Sequence, residues 1–112
     1  MKLYDTFNTL TALIILTFLG SAQASTFTGN IIQLRINTDD GGVARVSIKT
    51  RDHGGHCVNS EWYAYQPADR EVGKLWTDAL IAAHMNNRRV FITGSERCDR
   101  FDVEGVTDID FK

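Results

Sequence analysis

Twice between Gly29 and Thr50 the chain alternates apolar with polar residues, and Asp39-Asp40-Gly41-Gly42 stands between the two stretches. Ile32, Leu34 and Ile36 alternate with Gln33 and Arg35, and Ala44, Val46 and Ile48 alternate with Arg45, Ser47 and Lys49. A period of two puts each set on one side of a strand. Asp and Gly tolerate the positive φ that a tight reversal needs. The pattern therefore predicts an antiparallel hairpin.

The rest of the chain extends that hairpin into a mainly β domain with one helix. Glu61 to Gln66 (EWYAYQ) suits a third strand and Pro67 ends it. In REVGKLWTDALIAAHMNN, Val72, Leu75, Trp76, Ala79, Leu80 and Ala83 recur at helical steps. Asp69 suits its start and Asn86-Asn87 its exit, while Gly73 is a weak point early in the helix. Arg89 to Thr93 predicts a fourth strand, and Gly94 to Arg100 a turn carrying Cys98. Phe101 to Phe111 supplies the last extended piece, with Val103, Val106, Ile109 and Phe111 as its apolar positions. The order is β-β-β-α-β-β, the layout of a small five-stranded OB-fold-like barrel.

The N-terminus predicts where such a domain works. Lys2 precedes the apolar run Leu10 to Leu19, and Ala22-Gln23-Ala24 follows it. A basic start, a short apolar core and an A-x-A end make a Sec-type signal peptide. Cleavage after Ala24 divides the chain into a leader, 1–24, and a single domain, 25–112. The protein is thus expected to be exported, to the periplasm or beyond the cell. The leader's apolar run is shorter than the roughly 20 residues a membrane span needs. No second apolar segment is long enough, so no span is expected after cleavage.

Export changes the meaning of the cysteines. The chain has 2, Cys57 and Cys98, and an even count in an oxidising compartment argues for one disulfide. A loop of that separation is worth about 4 kcal/mol in the chain-entropy model. Charge excludes one class of partner: the net charge is −2 and no basic run exceeds Arg88-Arg89, so a nucleic-acid partner is not expected.

His53-Gly54-Gly55-His56-Cys57 is the stretch that most resembles chemistry. With Asp52 it offers donors for zinc, but a second ligand pair such as Cys-x-x-Cys is absent from the sequence. A Cys-His nucleophile needs a free thiol, which a disulfide removes. The stretch reads as a polar loop beside the bridge, with a metal site on His53 and His56 as the alternative. No catalytic group and no cofactor are expected. On the third strand Trp62 and Ala64 share one face, Tyr63 and Tyr65 the other. One set should fill the core, and the other is expected to pack at an interface, with a groove for sugar rings as the alternative.

The segment WYAYQPADREVGKLWTDALIAAHMNNRRVFITGSERC resembles the B subunits of the subtilase cytotoxin and typhoid-toxin, pertussis-like AB5 group. The likeness rests on a helix bearing Trp76, Ala79 and Leu80, the exit Asn86-Asn87, the strand residues Val90 and Ile92, and the turn residue Cys98. Thr28-Gly29 before an Ile-rich strand is similar to the start of the family's first strand. The resemblance implies an exported OB-fold, a homopentamer, sialylated glycans as ligands and a toxin A-type subunit as partner. It also implies that Thr28 belongs to the sugar site, where the family pattern has serine. Thr28, Tyr63 and Tyr65 are the candidate ligand-binding residues. The expectation is an exported, non-enzymatic binding module for glycans. The alternatives are a periplasmic structural or partner-binding protein and a small metalloprotein using His53 and His56.

Overall fold

The computed structural model describes residues 24–39 and 41–112; all of the expected leader except Ala24 lies outside the described residues. Six strands and one long helix follow one another. They are β1 (Thr26–Asn30), β2 (Gln33–Thr38), β3 (Ala44–Lys49), β4 (Trp62–Tyr65), α1 (Glu71–Met85), β5 (Arg89–Cys98) and β6 (Glu104–Phe111). They make one mixed sheet in the order β1-β5-β6-β4-β3-β2, antiparallel except for the parallel pair β4–β6. No described helix is long and apolar enough to cross a membrane.

The expected hairpin is β2–β3, in a register running from Gln33 opposite Lys49 to Thr38 opposite Ala44. Its reversal is closed by Asp39, whose carbonyl accepts from the Gly42 amide at 2.9 Å and whose Oδ1 accepts from the Gly41 amide at 3.1 Å. Five strands were expected and six are found, because the first extended stretch is two strands. Phe27, Gly29 and Ile31 face inward from β1 and its end, and then the chain changes partner. The Ile32 amide bonds to the Lys49 carbonyl at 2.8 Å, and Ile32 itself is 53% exposed. Gly29 carries no Cβ because Phe27's ring lies across it: a Cβ there would sit 2.8 Å from Phe27 Cζ.

The core is built from Phe27, Ile31, Val46, Ile48, Tyr63, Val90, Ile92, Val106 and Ile109 of the sheet side and Trp76, Leu80 and Ala83 of the helix. Trp76 meets Tyr65 edge-on, with ring centroids 5.4 Å apart. Val72 and Leu75, expected on the buried stripe, are exposed. Gly73 takes the buried position instead, packed so closely on Pro67 that a Cβ would overlap its carbonyl oxygen. Asp69 does not cap the helix: Pro67 opens a single 3-10 turn that absorbs Asp69, and Arg70 is the N-cap. The exit is as expected, with Asn87 at φ 54 and the Arg88 amide returning to the Ala83 carbonyl at 2.8 Å.

Cys57 and Cys98 form a disulfide, with Cα atoms 5.6 Å apart across a sequence separation of 41. The bridge ties the loop before β4 to the end of β5. A short turn follows, in which Asp99 Oδ1 accepts from the amides of Phe101 at 2.8 Å and Val103 at 3.2 Å. That turn fixes Phe101 and delivers Glu104 to the start of β6.

Candidate functional site

Two of the places that gather polar side chains among the described residues are a groove on the outer face of β2, β3 and β4 and a buried cluster beneath them. The groove follows from the registers. Cross-strand partners place Arg35, Ser47 and Ala64 in one row, and Gln33, Lys49 and Trp62 in the next. Ser47 and Ala64 are small and buried, so the middle of this face is low, and Trp62 and Phe101 stand beside it. The resulting groove holds about 380 Å³.

In and around it, aromatic rings pair with cations, of which Arg35 and Arg45 line the groove itself. The Arg35 guanidinium lies 5.6 Å from the Trp62 ring centroid, and Lys49 Nζ lies 6.0 Å from it. Phe101 has Arg45 at 4.8 Å and Arg100 at 4.8 Å. The cations differ in commitment. Arg45 donates to Asp99 Oδ2 at 2.6 Å and to Ser47 Oγ at 2.8 Å, and its side chain is only 15% exposed. Arg35 is exposed and holds its place by contact with the indole. Arg45 is thus a structural strut, whereas Arg35 presents its donors to the groove.

Under the sheet, Glu104 has no exposed surface. Its Oε1 accepts from Ser25 Oγ at 2.8 Å, and its Oε2 accepts from the amides of Ser25 and Glu96, both at 3.3 Å. Ser25 Oγ also bonds the Tyr63 hydroxyl at 2.8 Å. Burial pushes the Tyr63 phenol up to about 12; the Ser25 bond opposes that rise, and the Glu104 charge adds to it. His53 stacks on Tyr63 with centroids 3.9 Å apart, and its Nε2 faces the Trp62 carbonyl at 3.1 Å. His53 Nδ1 is buried without a hydrogen-bond partner. Two glycines make room for the carboxylate. A Cβ on Gly55 would overlap Glu104 Oε1, and one on Gly94 would overlap Oε2.

The residues singled out from sequence are dispersed. Tyr63 is wholly buried in the cluster just described. Tyr65 is half-buried, with its hydroxyl on Thr77 Oγ1 at 2.8 Å; burial pushes its phenol up to about 12 as well, against the Thr77 bond and with the Asp78 charge. Thr28 is exposed on β1, opposite Phe91 of β5. The β4 aromatic that lines the groove is Trp62, from the other face of the strand, with Phe101 also lining it. His53 and His56 serve different neighbours, since His56 Nε2 lies 3.7 Å from Cys98 Sγ. Among the described residues, His56, Cys57 and Cys98 are the one group with three close metal-type donors, and both sulfurs are spent in the disulfide.

Sequence reasoning passed over Arg35 and Phe101, and it read Glu104, with Asp99, Asp102, Asp108 and Asp110, as part of a solvated acidic strand face, whereas Glu104 is buried. Arg35 lies on the hairpin's polar face and was legible as exposed. Phe101 and the burial of Glu104 gave no signal, because their neighbours come from distant parts of the chain. Compared with family models, curated proteins and solved structures, the chain gives no match.

Proposed function

We propose that the chain is an exported, non-enzymatic binding module of OB-barrel type, and that its Trp62 groove takes an acidic carbohydrate. The observation that carries this reading is the half-buried Trp62 indole in the groove, with Arg35 and Lys49 against its ring and the small, buried Ser47 beside it. The C–H face of a sugar ring suits an indole, and a sugar carboxylate suits a guanidinium fork. The groove is open, as a pendant glycan end requires.

The barrel is supported by the sheet order. Its two outermost strands, β1 and β2, are consecutive and separated only by Ile31 and Ile32. The described sheet is open, with β1 and β2 at its two ends, but one bent stretch pairs with β5 on one side and β3 on the other, the arrangement an OB-type barrel uses. The disulfide supports export, since such bridges persist in oxidising compartments. Association of several copies belongs to the same reading, because repeated weak grooves gain avidity on a glycan surface. Light scattering of the processed protein reads the number of copies.

The test is a glycan array with sialylated, other acidic and neutral glycans, probed with the processed protein and with Trp62→Ala. Binding to acidic glycans that is lost in Trp62→Ala, with the unfolding transition unchanged, is the expected result. Binding to no glycan removes the carbohydrate reading. Binding that survives Trp62→Ala removes the groove as its site.

A further inference from the structure

A fully buried carboxylate ordinarily needs a cation or several strong donors, because an isolated buried charge is very costly. Among the described residues, no lysine, arginine or histidine forms an ion pair with Glu104; the ion pairs are Arg45–Asp99 and Arg100–Asp39. The Glu96 amide lies 3.3 Å from Oε2 and the His53 ring lies across Gly55 from Oε1, but the residue that meets both carboxylate oxygens is Ser25. Its hydroxyl bonds Oε1 at 2.8 Å, and its amide nitrogen lies at a long 3.3 Å from Oε2. Ser25 is itself buried and anchored, since its carbonyl accepts from the Gly94 amide at 2.8 Å. Ser25 is also the residue that leader cleavage after Ala24 makes the first of the chain.

We propose that the missing cation is the α-ammonium of Ser25, created when the leader is removed. The inference rests on the export reading. Hydrolysis by an endopeptidase adds water across the Ala24–Ser25 peptide bond. Ala24 leaves with the new carboxylate. The nitrogen of Ser25 becomes an amine, and it takes up a proton because an α-amino group titrates near 8. One weak neutral donor at Glu104 is replaced by a cation with three. The gain is large because the carboxylate lies away from water, where charge-assisted hydrogen bonds are strongest. Gly55 and Gly94 hold the space that brings carboxylate and chain start together. Removal of the leader thereby completes the core and fixes the start of β1 against β5 and β6. Maturation and final stability become one event.

The experiment expresses the full chain for export and recovers the processed protein. A second full chain carries one glycine inserted between Ala24 and Ser25, so that its processed form starts one residue earlier and its ammonium is displaced from Glu104. Intact mass gives the starting residue of each. Thermal unfolding gives stability, and amine-reactive labelling at neutral pH, read by peptide mass, gives the accessibility of the α-amine.

A mass starting at Ser25 is expected, with its α-amine protected in the folded state. The glycine-inserted form should melt lower by roughly 12 °C or more, given what breaking a buried pair costs a domain of this size. Its α-amine should react freely. In the Glu104→Gln background the insertion should make no difference to the midpoint. A mass that starts elsewhere overturns both the cleavage site and the pair. A start at Ser25 with a freely reacting amine, or with equal midpoints for the two forms, overturns the pair and leaves the export reading standing. The insertion keeps Glu104, so the test holds even where Glu104→Gln fails to fold.

Discussion

Gly55 lies so close to Glu104 that a side chain at 55 and the carboxylate could not share the space: a Cβ there would overlap Oε1 and sit 2.8 Å from His53 Cε1. Gly94 stands in the same relation to Oε2. The glycines of the loop therefore do unlike things. Gly54, at φ 74, serves the backbone turn that Asp52 closes by accepting its amide at 2.9 Å, whereas Gly55 serves the buried acid. Gly55→Ala and Gly94→Ala are each expected to destabilise by about 1–3 kcal/mol through overpacking. Gly41→Ala, where the nearest atom to a new Cβ is an ordinary 3.7 Å away, should stay within about 0.5 kcal/mol. Urea midpoints of the three variants check this.

The Cys57–Cys98 bridge closes a loop, across a sequence separation of 41, that contains β4, α1 and β5. In the chain-entropy model such a loop is worth about 4 kcal/mol. That is a large share of the stability of a domain this size. Reduction, or the double change Cys57→Ala with Cys98→Ala, should lower the urea midpoint accordingly. Alkylation of the denatured, unreduced protein should add no mass, and alkylation after reduction should add two labels. Thiol labelling without reduction would contradict the bridge.

The part of this architecture legible in sequence was the part set by local pattern. The β2–β3 hairpin follows from period-two alternation around an Asp-Gly turn, and the Asn86-Asn87 exit from the backbone freedom of asparagine. The disulfide follows from cysteine count together with the compartment expected from the N-terminus. Pattern failed where a distant neighbour decides. Gly73 looks like a helix defect until Pro67 is seen against it. Val72 and Leu75 carry the right spacing but face away from the sheet, since Trp76, Leu80 and Ala83 suffice to cover it. Tyr63 and Tyr65 share a face, as the strand period requires, and that face is the core. Glu104 had no signature: an acid in an acidic, alternating segment reads as solvated, and only Ser25, Gly55 and Gly94 together make it a buried one.

The two tyrosines of the domain should titrate late. Tyr63 and Tyr65 are each pushed up to about 12, in both cases chiefly by burial. A phenol with a raised pKa in the folded state favours folding fully below its unfolded value near 10, and that contribution is lost as pH rises to about 12. If the chain is cleaved after Ala24, as expected from its sequence, these two are its remaining tyrosines, and phenolate absorbance of that form should stay low through pH 10. It should rise near 12 together with loss of the folded state. In urea the midpoint should return to about 10. A midpoint of 10 in the folded protein would contradict the burial of both rings.

The groove separates binding from stability through its two arginines. Arg45 is locked to Asp99 and Ser47 and stacked on Phe101, and Asp99 in turn holds the turn that places Phe101 and Val103. Arg45→Ala should cost about 1–2 kcal/mol, a figure discounted because Asp99 is partly exposed. It should weaken ligand binding only indirectly, through Phe101. Arg35 touches the Trp62 ring from the exposed side of β2, so Arg35→Ala should leave stability within about 0.5 kcal/mol. If an acidic sugar seats on Trp62, Arg35 supplies the counter-charge. Arg35→Ala should then cut affinity for the acidic glycan about tenfold or more, the effect of losing a charge-assisted hydrogen bond, while a neutral analogue is unaffected. Tryptophan fluorescence titrations with the two sugars, beside urea melts of both variants, decide it. Equal loss for acidic and neutral sugars would mean that Arg35 supports the indole rather than the ligand.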